Sequence, residues 1–195
     1  MSSLPPIIER DGAHRGRGAR PDGDGRVLLS RVESPVGPLL AGATEDGICL
    51  LEFSRPERLD TQLSTLRKLF RVPVVRGTNR HLDRLQAELA AYFDGERRSF
   101  SVPLLYPGTA FQLLVWEQLL AIPYGETRSY EDLAVVLGQP KAVRAVGHAN
   151  GRNRIAIVIP CHRVIAKNGG LGGYGGGLDR KQDLLDLERG RRRLW

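Results

Sequence analysis

The 195-residue chain is short of several residue types, and each shortage excludes a class of protein. Its two cysteines, Cys49 and Cys161, cannot build a disulfide framework or a four-cysteine zinc site, and they point to a reducing compartment. No apolar run approaches the roughly 20 residues of a membrane span, and the N-terminus lacks the apolar core of a signal peptide. No internal repeat marks a solenoid. We therefore expect a soluble, cytoplasmic protein with no membrane partner. The length suits one domain or two small ones, with enough buried surface to need no staples.

Acids are missing from one stretch in particular. The chain has 29 Lys+Arg and 22 Asp+Glu, a net charge of +7. Residues 1–26 and 27–107 contribute +1 each, whereas residues 108–195, with 13 basic and 8 acidic side chains, contribute +5. From Leu133 to Leu178 there are six bases (Lys141, Arg144, Arg152, Arg154, Arg163, Lys167) and no acid, where average composition would place about five acids. Such a segment suits a polyanion such as nucleic acid. Charge alone describes a solvated basic surface equally well.

Residues 1–26, with RDGAHRGRGARPDGDGR at their centre, hold too little apolar surface to offset ordering entropy and read as a disordered tail. From Val27 three short apolar runs, VLLSRV, PLLAGA and ICLLEF, separated by Pro and Gly turns, predict a small sheet. Helical spacing follows over 56–70 (Leu59, Leu63, Leu66, Leu69/Phe70) and 81–93 (Leu82, Leu85, Leu89, Tyr92/Phe93). Residues 27–107 form an α/β unit with no catalytic constellation, and Cys49 in its apolar strand reads as structural.

Residues 108–195 read as a second unit. Thr109 with Gln112, and Ser129 with Asp132, are capping-box patterns that open two helices. Phe111, Leu114, Val115 and Leu119 are expected to line one face of the first, and Leu133, Val136 and Leu137 to pack inward from the second. Pro140 opens a third helix over 141–149, and the last two have the dimensions of a helix-turn-helix. Projected at 100° per residue, Ala142, Ala145, Val146 and Ala149 form an inner stripe, with Arg144, Gly147 and His148 opposite. A standard helix, about 10–12 Å across, is too wide for a minor groove of about 6 Å. One this slim would bring its backbone close, with Arg144 as the probing side chain.

Ile155 to Ile159, apolar and β-branched, predicts a buried strand that delivers Pro160-Cys161-His162-Arg163. A nucleophilic cysteine needs thiolate character from cationic neighbours, a helix N-terminus or a base. Cys161 has such neighbours in sequence and Cys49 does not. The glycine-rich loop at 169–177 permits close approach to a ligand, and its Tyr174 would stack on a flat ring.

IPCHRV at 159–164 is similar to the active-site signature of the O6-alkylguanine-DNA alkyltransferases, the methylated-DNA–protein-cysteine methyltransferases. The resemblance runs from about Thr109 to Glu188, through FQLLVWEQLLAIPYGETRSYEDLA, KAVRAVGHANGRN and GYGGGLDRKQDLLDLE. It implies an α/β (α+β) chain. A small RNase H-like N-terminal sheet domain (27–107) would precede a helical, winged-helix-like C-terminal domain with a helix-turn-helix (108–195). The implied function is DNA repair. The chain would flip O6-alkylguanine, chiefly O6-methylguanine and also O4-methylthymine, out of double-stranded DNA and move the alkyl group irreversibly to Cys161 in one turnover. It would act as a monomer, with cooperativity on DNA left open, and with neither metal nor organic cofactor.

The resemblance also assigns roles. Cys161 resembles the alkyl acceptor, His162 the base that takes its proton through a water, and Glu188 the carboxylate that orients His162. Asn153 resembles the hinge asparagine bracing the active-site turn. Arg144 resembles the finger that enters the duplex, on a helix whose Ala142, Ala145 and Gly147 would lie against DNA. Tyr130 resembles the tyrosine that rotates the 3′ phosphate and later donates to the bound guanine. Tyr174, with the backbone of Cys161, Val164 and Gly175, would line the base pocket.

Two positions depart from the pattern. Arg154 stands where many members have Pro, so the turn would rely more on Asn153. Gly175 stands where some carry Ser, which implies a roomier pocket that tolerates alkyl groups larger than methyl. Three rival readings are a non-enzymatic alkylated-base-binding module, a DNA-binding regulator and a cysteine hydrolase. The first lacks the acceptor cysteine, the second carries a four-cysteine zinc domain, and the third requires an imidazole placed directly against its sequence neighbour's sulfur.

Overall fold

The computed structural model describes residues 25–54 and 56–191, so nearly all of the tail expected at 1–26 lies outside the described residues. Three strands, β1 (Val27–Val32), β2 (Leu39–Ala43) and β3 (Ile48–Phe53), form an antiparallel meander as their turn signals require. Helix α1 (Pro56–Phe70) then crosses to β4 (Val74–Arg76), which pairs parallel to β1 and gives the sheet order β3-β2-β1-β4. Strand β4 was not anticipated, because three residues carry too little periodicity to register.

Alternation puts Leu39, Ala41 and Ala43 of β2 on one face of the sheet. There they join Leu82, Leu85 and Leu89 of α2 (Arg80–Phe93) and Val115, Trp116 and Leu119 of α3 (Ala110–Leu120) in one cluster. That core runs through both halves of the chain. The opposite face packs a smaller cluster of Val27, Cys49, Leu50, Leu66, Phe70 and Leu105. The outer edge of β3 is closed by the second half and the segment leading to it. Ile48 N donates to Pro103 O, Leu51 N to Arg154 O, and Ala156 N to Leu51 O, each at 2.8 Å. An edge strand needs such cover, and here the cover is the turn that precedes Cys161.

The second half continues with β5 (Arg128–Ser129), α4 (Tyr130–Val136), α5 (Val143–Gly151), a single 3₁₀ turn at Cys161–Arg163, β6 (Val164–Ile165) and α6 (Leu178–Glu188). Both capping boxes form. Helices α4 and α5 pack together as a helix-turn-helix, although α5 begins two residues later than the Pro140 signal suggested.

Three expected inner positions face outward. Leu114 is 47% exposed and Val136 41%, and Ala145 is exposed as well. For Leu114 on α3 and Ala145 on α5 the cause is tertiary. Trp116 is buried and donates its indole N–H to Ala149 O at 2.9 Å, which fixes how α3 and α5 are rotated against each other. Residues 155–159 are not a strand but a compact turn in which Ile159 N bonds Ile155 O and Val158 N bonds Ala156 O.

Candidate active site

The turn is held by Asn153. Its Oδ1 accepts from Ile155 N (2.9 Å) and its Nδ2 donates to Ile159 O (2.8 Å), so one buried amide satisfies the backbone groups that a strand partner would have taken. Ile157 at the apex has φ +70°, a left-handed conformation that a β-branched residue adopts only when its surroundings impose it. The chain then enters the 3₁₀ turn, with Cys161 N bonded to Ile159 O. Arg154 is buried beside it, its guanidinium bonded to Pro107 O and 5.3 Å from the Trp116 ring. Where a proline would stiffen the turn, this arginine ties it to the segment between the halves.

Asn153 Nδ2 also reaches Cys161 Sγ at 3.1 Å. Burial pushes the thiol up to about 11 despite that bond, and the Glu52 charge adds to the rise while Lys181 and Arg58 oppose it. The sequence expectation that His162 and Arg163 would supply thiolate character is therefore corrected. The tight turn sends both of those side chains to Glu188 instead, and Cys161 rests as a neutral thiol that needs a base. Cys49, also fully buried, is pushed up to about 12 and lies in the smaller core cluster.

Glu188 is the hub behind the thiol. Its Oε1 accepts from His162 Nε2 (2.9 Å), Arg163 Nη2 (2.9 Å) and the Tyr92 hydroxyl (2.8 Å), and its Oε2 from Arg163 Nε (2.9 Å) and Gly125 N (3.0 Å). Burial works to raise this carboxyl, but the hydrogen bonds and charges of His162 and Arg163 outweigh it and hold it well below the usual carboxylate range. An ionised Glu188 can only accept, so His162 carries its proton on Nε2. Burial keeps the imidazole neutral, and Nδ1 has no hydrogen-bond partner among the described residues.

A cavity of about 460 Å³ opens in front of the thiol, lined among others by Cys161, Asn153, Tyr130, Gly147, Tyr174 and Gly175. That volume lies in the range of small-molecule sites, about 300–1,000 Å³. Tyr130 is wedged between glycines: a Cβ on Gly172, whose φ is +66°, would lie 3.1 Å from its ring, and one on Gly147 3.7 Å away. Val164 does not line the cavity, contrary to expectation. It is fully buried, and its carbonyl receives Nζ of Lys181, which also bonds Leu171 O and anchors the glycine loop. Burial lowers Lys181 to about 8.

The cavity wall also includes Glu52 and Arg58 from the first half, joined at 2.8 Å. A Cβ on Gly175 would collide with the Arg58 guanidinium. The room expected from Gly175 is thus filled by the Arg58 guanidinium, and the missing side chain makes way for an arginine rather than for a larger alkyl group. Outside the cavity, α5 presents Arg144 and Ala145 to solvent with Ala142 half-buried, while Gly147 of the same helix reaches the cavity wall.

Two family models divide the chain between them. The ribonuclease-like domain of 6-O-methylguanine DNA methyltransferase matches residues 27–106, and the DNA-binding domain of the same family matches 110–190. The chain belongs to this family. The methylated-DNA–protein-cysteine methyltransferase of Methanosarcina barkeri is 46% identical over 158 residues, which cover 80% of this chain and 94% of that protein. The constitutive Bacillus subtilis methyltransferase is 44% identical over 163 residues, 81% and 93% of the two chains. The Mycobacterium tuberculosis O6-methylguanine methyltransferase crystal structure matches with a TM-score of 0.70 and 42% identity over 86% of this chain and 95% of that one. A crystal structure of the mycobacterial protein with DNA superimposes equally well, at 41% identity.

In this methyltransferase the residues singled out from sequence converge in two layers. Cys161, Asn153, Tyr130, Gly147, Tyr174 and Gly175 meet at the cavity, with His162 and Glu188 packed behind. Sequence reasoning missed Glu52, Arg58 and Tyr92, and also Asn150, a further residue of the cavity wall. Glu52 inside an otherwise apolar run was the one available signal, since a carboxylate there must find a partner. Among the described residues no helix is long and apolar enough to cross a membrane, and no group of three His, Cys, Asp or Glu is placed to hold a metal.

Proposed function

We infer that this protein repairs DNA by transferring the alkyl group of O6-alkylguanine to its own Cys161, once per molecule. The observation that carries the reading is a lone thiol at the wall of a cavity of about 460 Å³, with Asn153 on its sulfur and a neutral, Glu188-bound imidazole behind it. The target carbon is unreachable inside a stacked duplex, so the nucleotide must be extruded at a cost of a few kcal/mol. A poorly paired alkylated base lowers that cost. Helix α5 links the two tasks, with Arg144 outside to fill the vacated stack and Gly147 at the cavity. Tyr130 and Tyr174 flank the extruded base.

Because Cys161 rests protonated, His162 Nδ1 takes its proton through a water as the sulfur attacks. The S–C bond forms, the C–O6 bond breaks, and the electron pair leaves with guanine, which regains a proton. The thioether persists because water attacking its alkyl carbon would have to expel a poorly leaving thiolate, so each molecule reacts once. Incubation with duplex carrying labelled O6-methylguanine should place the label on the Cys161 peptide at no more than one equivalent. Transfer beyond one equivalent, or label on another residue, would overturn the mechanism.

Arg144→Ala should slow transfer from duplex DNA about tenfold or more, because stabilising the extruded state is its task, and leave reaction with the free alkylated base within about twofold. Single-turnover rates on the two substrates check this. Equal losses on both would refute the finger role.

A further inference from the structure

The proton relay is completed from the other half of the chain. Of the five hydrogen bonds that Glu188 accepts, four come from the second half and one from Tyr92, 96 residues earlier on α2. Tyr92 is 0% exposed and wedged among Phe93, Phe100 and Tyr124, ring centroids 5.3, 5.4 and 6.0 Å away. Its ring cannot swing aside, so its hydroxyl stays aimed at Oε1. That oxygen also receives the His162 Nε2–H, so the two donors draw on the same electron density.

We propose that Tyr92 is a positioning residue for the transfer, its hydroxyl fixing the Glu188 carboxylate and setting how strongly that carboxylate pulls on His162. The proposal rests on the alkyl-transfer reading above. With the hydroxyl in place, Oε1 shares its charge among three donors, which moderates the basicity of His162 and keeps Nδ1 unprotonated. Without it, Oε1 holds the imidazole N–H more tightly, and Nδ1 gains a proton at higher pH. The other titratable or charged groups facing this pair are Arg163, Tyr124 and Lys181, with Arg98 over the outer face of Tyr124. None of them changes when Tyr92 loses its oxygen. The region matched by the ribonuclease-like model thereby takes part in the chemistry rather than only covering the core.

Tyr92→Phe tests this, since it keeps the ring and its packing. Transfer from labelled duplex is measured for both proteins from pH 8 to pH 6. The ratio of variant to wild-type rate constant is expected to fall by about threefold or more across that interval, because the variant's imidazole is protonated first. A ratio flat across pH, whether near unity or uniformly reduced, would show a role in packing alone and overturn the proposal. Site-specific 3-fluorotyrosine at position 92, a stronger donor of the same shape, should tilt the ratio the opposite way. A tilt in the same direction, or none, would likewise overturn it. If wild-type protein takes up no label, the alkyl-transfer reading itself has failed, a result distinct from either profile.

Discussion

Replacing Cys161 by serine is expected to abolish alkyl transfer while leaving the affinity for alkylated duplex within about threefold. The hydroxyl keeps the shape of the cavity wall and still accepts the Asn153 amide that reaches Sγ at 3.1 Å. Its proton is far harder to remove than that of the thiol, which burial already pushes up to about 11. A neutral imidazole cannot generate an alkoxide at neutral pH, so we expect a loss of at least about a thousandfold, as when the nucleophile of an acyl-transfer enzyme is removed. Single-turnover transfer from labelled duplex measures the rate, and a gel-shift titration measures binding. Transfer persisting within tenfold of wild type would place the acceptor elsewhere.

Glu188→Gln is expected to be the most destabilising polar substitution in the protein. An amide NH₂ would face N–H or O–H donors on either side, from His162, Arg163 and Tyr92 at one oxygen and Gly125 and Arg163 at the other. Breaking a buried ion pair in this way leaves the Arg163 guanidinium uncompensated and costs about 3–5 kcal/mol. In a chain of this size that corresponds to a Tm lower by about 10 °C. Transfer should fall as well, since His162 loses the acceptor that holds its proton on Nε2.

The pH dependence has a definite sign. Glu188 is held below its unfolded value, near 4.3, so its contribution is fully present above that pH and is lost as pH falls toward the folded value. His162 is also lowered in the fold, so its protonation on unfolding destabilises the protein as pH falls through about 6.5. Both groups make stability rise with pH over this acid range. Thermal melts of the wild type should therefore drop steeply below about pH 4.5, and those of Glu188→Gln less steeply. Parallel curves would show that Glu188 is not the group whose protonation weakens the fold.

Much of the site is legible in the sequence. The capping boxes at Thr109 and Ser129 acted as read, because a cap is satisfied within three residues and needs no tertiary partner. The glycines at 172 and 175 were read as permitting close approach, and they do, although the approaching groups are Tyr130 and Arg58. The run 155–159 has the composition of a strand and folds as a turn for a physical reason. Its β-branched residues favour a strand, but Asn153 offers the local backbone groups a better-connected partner than a neighbouring strand would, and the turn wins even with Ile157 at positive φ. Leu114, Val136 and Ala145 were placed on inner faces because periodicity gives the width of an apolar stripe, not the rotation at which two helices meet.

By itself, the sequence determined the acid-free basic segment, the choice of Cys161 over Cys49 as the proposed acceptor, the family signature around it and the helices that carry Tyr130 and Arg144. These are matters of residue identity and short spacing. Tertiary structure alone decided that Arg163 serves Glu188 and not the thiol, that Arg58 fills the space beside Gly175, and that Tyr92 completes the carboxylate's hydrogen bonds from 96 residues away. Each of those depends on which buried charge finds which donor once the sheet edge, the turn at Asn153 and the last helix have closed on one another. Desolvation then makes each such pairing obligatory.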